Sequence, residues 1–181
     1  MKKSLLLTIS VFSCIGMSAQ KMAEPEYIGQ VNYVNADSTT TLMETEPASM
    51  NTKNSGLSFV PVAGMFLGKG QAFIAVKGTK SMTKLPAKGI KFLVRVKDNE
   101  EDPKGQVGII KFDVKKKERR YLMAEAGLVS GVKDKISLND FKYDVKRYGQ
   151  KSYLIEVGDL KPGEYAITTG DHKRLATFSV E

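Results

Sequence analysis

Ile90-Lys91-Phe92-Leu93-Val94-Arg95-Val96-Lys97 decides the fold class. Ile90, Phe92, Val94 and Val96 fall at every second position, separated by Lys91, Leu93, Arg95 and Lys97. A period of two places the apolar set on one face of an extended chain, which is a strand with one buried face. Ile110, Phe112 and Val114 repeat the pattern against Lys111, Asp113 and Lys115. Outward from these, Arg119 to Glu125, Phe141 to Tyr148, Ser152 to Val157, Glu164 to Thr169 and Leu175 to Val180 are further strand candidates. Tyr27 to Val34, Thr39 to Glu46 and Gln71 to Val76 precede them. Asp102-Pro103-Lys104-Gly105, Tyr148-Gly149-Gln150-Lys151, Pro162-Gly163 and Gly170-Asp171-His172 supply turn chemistry at short spacing. Pro47 is expected to stop the strand begun at Thr39, and Asn51 to Gly56 reads as a turn. Pro61 and Gly64 make the apolar run Leu57 to Leu67 an edge strand or a bent hairpin. Only Ala124 to Val129 and Ser137 to Phe141 suit brief helical turns. About ten short strands with closely spaced turns predict an all-β chain, an antiparallel β-sandwich of immunoglobulin-like or prealbumin-like type. Two packed sub-arrays divided near residues 85–89 are the alternative to a single array.

The start of the chain bounds its compartment. Lys2 and Lys3 precede an apolar stretch from Leu5 to Ile15, and Gly16, Ser18, Ala19 and Gln20 follow. This is the three-part pattern of a signal peptide over residues 1–19, too short to span a bilayer. Residues 20–26 read as a flexible lead-in and 27–181 as the all-β domain. The expected location is periplasmic or extracellular. Val11-Phe12-Ser13-Cys14 loosely matches a lipobox, which makes a lipoprotein anchored at Cys14 the alternative. Cys14 is the only cysteine, so the chain beyond the leader has no disulfide and no thiol nucleophile. The leader's Ser-Ala-Gln end and the strand pattern resemble uncharacterised exported β-sandwich proteins of Gram-negative bacteria. That resemblance implies a fold class and a compartment, and no activity.

The net charge of +8, two of it from Lys2 and Lys3, favours anionic partners. The densest run is Lys115, Lys116, Lys117, Glu118, Arg119 and Arg120 between two strand candidates. It suits a hairpin tip that grips anionic groups, or one that blunts an edge strand. Phe59, Val62, Met65 and Phe66 belong to the most apolar segment after the leader, either core or a patch for a partner. Asp98-Asn99-Glu100-Glu101-Asp102 clusters oxygens, but its spacing is not that of a calcium loop, so a solvated loop is expected. Asp159 to Ile167 resembles the Leu-x-Pro-Gly-x-Tyr corner of exported sandwich domains. The resemblance implies that Leu160 plugs the core, Pro162 and Gly163 turn the chain, and Tyr165 packs as the next strand starts.

Catalysis has few parts to work with. His172 is the sole histidine, no Gly-x-Ser-x-Gly elbow exists, and zinc lacks nitrogen and sulfur ligands. A pair of carboxylates brought together by the fold is the remaining route. The expectation is a non-enzymatic exported protein that binds another protein or an anionic envelope component. It needs no cofactor, metal or nucleic acid and has no transmembrane segment. The alternatives are a structural or adhesion module presenting loops, and a carboxylate-dependent hydrolase. The oligomeric state is left open.

Overall fold

A computed structural model describes residues 21–54, 61–62, 65–66, 70–127, 131–134, 141–170 and 172–181. The signal peptide, Cys14 and Phe59 lie outside these residues. The strands are β1 (Val31–Val34), β2 (Thr40–Leu42), β3 (Thr45–Asn54), β4 (Pro61–Val62), β5 (Met65–Phe66), β6 (Gly70–Lys77), β7 (Lys84–Leu85) and β8 (Ile90–Arg95). After one helical turn, α1 (Pro103–Gln106), come β9 (Gly108–Val114), β10 (Glu118–Gly127), β11 (Gly131–Asp134), β12 (Tyr143–Tyr148), β13 (Ser152–Val157), β14 (Gly163–Thr168) and β15 (Arg174–Val180).

These strands form two main sheets. One is antiparallel and five-stranded, in the order β12-β13-β8-β1-β2. The other runs β10-β6-β3-β15-β14-β9, and β9 pairs back onto β10 through Val114–Arg119 and Asp113–Arg120. That last pairing closes a six-stranded barrel. The chain is therefore all-β, but its second layer closes on itself, unlike the open sheets of an immunoglobulin-like sandwich. The two sheets do not divide the chain at 85–89 either. The five-stranded sheet takes β1 and β2 from before that point and β8, β12 and β13 from after it.

The barrel wall β9-β14-β15 is buried on both faces. Ile109, Tyr165, Ile167, Phe178 and Val180 face the five-stranded sheet and pack with Val31, Phe92, Val94, Tyr153 and Ile155. Phe178 lies 5.4 Å from both Phe92 and Tyr165, ring centroid to centroid. Their chain neighbours Ile110, Phe112, Ala166 and Leu175 turn the other way and fill the barrel with Ile74, Val76 and Tyr121. Alternation sends adjacent residues to opposite cores, so these strands read as nearly continuous apolar runs.

Several local expectations are corrected. Pro47 does not end a strand. It sits inside β3 where pairing passes from β15 (Pro47–Arg174) to β6 (Ala48–Val76), so its missing N–H falls where one ladder gives way to the next. Asn51–Asn54 continue β3 and are not a turn. Ala124–Gly127 continue β10, and the one helical turn among the described residues is at Pro103, capped by Asp102 accepting from the Lys104 N–H. Residues 21–26 form no strand, yet they are anchored. The Glu24 carboxylate accepts from Ser152 Oγ at 2.7 Å and from the Gln150 and Lys151 N–H groups, and Tyr148 donates to the Met22 carbonyl at 3.0 Å.

Candidate functional site

Along β10, Arg119 and Tyr121 point into the barrel and Arg120 points out, because neighbours on a strand take opposite faces. Arg119 is wholly buried. Its Nη2 donates to Glu46 Oε2 at 2.5 Å and to the Lys77 carbonyl at 3.2 Å, and its Nε donates to the Gly78 carbonyl at 3.3 Å. Nη1 lies 3.6 Å from Glu164 Oε2. Glu164 also accepts from the Ser81 N–H at 2.8 Å and from Ser179 Oγ at 2.7 Å. Glu46 accepts from Thr177, which shares a hydroxyl contact of 2.9 Å with Ser81. A buried polar network thus closes one end of the barrel and fastens the Gly78–Leu85 connection across it. Arg119 was expected at an exposed basic tip. The structure removes it from that surface and gives its charge to two glutamates.

The rest of the basic run lies at the tip of the β9–β10 hairpin, where Lys115 N–H donates to the Glu118 carbonyl at 2.8 Å. Lys115, Lys116 and Lys117 are exposed. Gly78 N–H donates to the Lys117 carbonyl at 3.0 Å, which brings exposed Lys77 and Lys80 alongside. None of these five lysines makes an ion pair among the described residues, whereas Lys84, Lys88, Lys91 and Lys146 each have an acidic partner. Exposed Val114 adjoins the tip. Arg120 is half-buried, ion-paired to Glu118, with its guanidinium 4.5 Å from the centre of the Phe73 ring.

Pro61–Phe66 and Val62–Met65 pair as a small hairpin, β4–β5, inserted between Asn54 and Gly70.

Leu160 and Tyr165 are buried in the core between the sheets. The Tyr165 phenol donates to the Lys161 carbonyl at 2.6 Å. Lys111 stands over its ring and donates to the Pro162 carbonyl at 3.3 Å. Gly163 takes a φ of 155° where the chain turns into β14.

In the acidic loop, Asp98 and Asp102 each accept a backbone N–H two residues on. Tyr153 donates to the Glu101 carbonyl at 2.5 Å and Tyr143 to the Val107 carbonyl at 2.7 Å. Burial, aided by the Asp102 charge, pushes the Tyr143 phenol up to about 12. Among the described residues no three His, Cys, Asp or Glu side chains converge as a metal site. No described helix is long and apolar enough to cross a membrane.

A groove of about 510 Å³ runs between β2 and the Met82–Leu85 segment. Tyr33, Met43 and Leu85 are among its lining residues, and Leu42 and Met82 stand exposed on it. At Glu44, Met82 and Thr83 it adjoins a crevice of about 10 Å³ that reaches Glu46, Ser81 and Thr177. Nothing in the sequence pointed here: the strand candidate Thr39 to Glu46 supplies one wall and the chain around Met82 the other, and neither pattern shows that the two meet. Comparison with known proteins finds no matching family model, no matching curated protein and no matching solved structure.

Proposed function

We propose that the chain is an exported, non-enzymatic binding protein whose cationic barrel rim engages an anionic component of the cell envelope. The observation that carries this reading is the set Lys77, Lys80, Lys115, Lys116 and Lys117, gathered at one barrel end, none in an ion pair among the described residues, beside exposed Val114. Unpaired lysines next to an apolar residue suit an anionic lipid surface, where each contributes about 1 kcal/mol. The carboxylates that do converge, Glu46 and Glu164, are both held by Arg119. The crevice beside Glu46, at about 10 Å³, admits no more than a water. This favours binding over a carboxylate-dependent hydrolase.

Co-sedimentation with phosphatidylglycerol vesicles tests the proposal. Binding is expected to weaken with salt, and changing Lys115, Lys116 and Lys117 together to Gln is expected to cost about 3 kcal/mol, roughly a hundredfold. Equal binding to phosphatidylcholine vesicles, or no loss in the triple variant, sinks it.

A further inference from the structure

The groove between β2 and β7 has a chemistry of its own, distinct from the Lys115–Lys117 tip. β2 is the last strand of the five-stranded sheet, with β1 as its one neighbour among the described residues. A strand with one open edge presents N–H and C=O groups to any extended chain that enters beside it. Across the groove, β7 is likewise paired on one side, through Lys84–Ser179 and Leu85–Val180. The groove is thus flanked by two strand edges, one from each sheet.

Its side chains are not uniform. Leu42 is 56% exposed and Met82 85% exposed. Large apolar side chains held this open on the lining of one groove are candidates for burial by a partner. Leu42 is exposed, Met43 is buried and Glu44 is exposed, so Leu42 and Glu44 lie on one face of an extended chain. Glu44 has no hydrogen bond or ion pair among the described residues, and the Glu46 carboxylate borders the adjoining crevice. Lys84, the cation lining the groove, is already committed to Glu181 at 2.6 Å. The lining therefore combines exposed apolar side chains with a carboxylate, Glu44, that has no ion pair among the described residues.

We infer that this groove binds an extended peptide segment of a partner protein by adding it as a strand beside β2. The segment carries an apolar residue that covers Leu42 and Met82. Two positions along, on the same face, it carries a Lys or Arg that meets Glu44. Period-two spacing within the peptide matches the spacing of Leu42 and Glu44 on the protein.

The probes are labelled, capped peptides Thr-Val-Thr-Lys-Thr and Thr-Val-Thr-Glu-Thr, titrated with the full chain and followed by fluorescence anisotropy. Saturable binding of the Lys peptide is expected, about tenfold tighter than the Glu peptide. Met82→Ser is expected to weaken it by about tenfold or more through lost apolar burial, and Met82 is too exposed for the change to unfold the chain. Glu44→Lys is expected to reverse the preference between the two peptides. N-methylation of the Lys peptide's backbone is expected to abolish binding. Changing Lys115, Lys116 and Lys117 to Gln leaves it intact, which separates this site from the cationic rim. No saturable binding, equal binding of both peptides, or indifference to Met82→Ser and Glu44→Lys overturns the inference.

Discussion

Arg119→Met tests whether the barrel end is held by charge. Arg119 is wholly buried and spends its donors on Glu46 at 2.5 Å and on the carbonyls of Lys77 and Gly78, with Glu164 at 3.6 Å. Methionine is of comparable length, so little cavity forms and the cost is chiefly electrostatic. Breaking one side of a buried pair costs about 3–5 kcal/mol, because the remaining charge is left without a partner. Two features place this case at the low end. Glu164 keeps the Ser81 N–H and the Ser179 hydroxyl, and the Glu46 side chain is 27% exposed and can rehydrate. The expected loss is about 3 kcal/mol, which moves a urea midpoint by about 1–3 M. The chain has no tryptophan, so unfolding is followed by circular dichroism. Adding Glu46→Gln and Glu164→Gln to Arg119→Met removes the orphaned charges and is expected to restore at least about 1 kcal/mol. A loss below about 1 kcal/mol for Arg119→Met, the cost of an exposed pair, refutes the reasoning. So does a triple variant no more stable than the single one.

Tyr165→Phe keeps the ring stacked on Phe178 and removes the 2.6 Å bond to the Lys161 carbonyl. It is expected to cost about 1 kcal/mol in urea unfolding, and an unchanged midpoint would remove the corner from the stabilising contacts. The Glu24 carboxyl is held below its ordinary value of 4.5. Burial pulls it upward, but the Ser152 hydroxyl, the Gln150 and Lys151 N–H groups and Arg95 together outweigh it. A depressed folded value gives stability that is present above the unfolded value and is lost as pH falls through the folded one. Thermal melts of wild type and Glu24→Gln are therefore expected to differ at about pH 7 and to converge as the pH falls through the folded value, below 4.5. A Cβ on Gly149 would stand 1.8 Å from Glu24 Oε1, and its φ of +57° disfavours any side chain. Gly149→Ala is therefore expected to displace Glu24 and add less than its own full cost on top of Glu24→Gln. Parallel pH curves would contradict the first expectation, and full additivity of the two changes the second.

The all-β class was legible because period-two alternation is local. Ser152–Val157 was read to the residue, and Ile90, Phe92 and Val94 proved to be core. Closure of the barrel was not legible, since it depends on β9 pairing both β14 and β10, and pairing partners leave no mark in a single strand's pattern. Arg119 was misplaced for a related reason. It stands in a cationic run that suits a solvated tip, yet it is two residues before buried Tyr121, in phase with the barrel interior. The phase was a usable signal. So was Glu164, a charge in an otherwise apolar strand directly before Tyr165. What the sequence could not supply was that the two meet, 45 residues apart in numbering and 3.6 Å apart in space.

The proposed peptide site follows from how the two sheets end. Closing six strands into a barrel leaves that sheet only the short strands β7 and β11 as edges among the described residues, and the five-stranded sheet keeps β2 and β12. β12 presents Lys142, Asp144, Lys146 and Arg147 along or beside its length, with Lys146 3.9 Å from Glu156, which is how a protected edge is built. β2 is Thr40-Thr41-Leu42, without a charge, and its exposed leucine faces the groove. Shortness alone guards it. An edge left neutral and apolar beside a groove, in a chain that charges its other edge, is open to an added strand. On the proposed reading that strand covers Leu42, and Glu44 sets the sign of what it must carry.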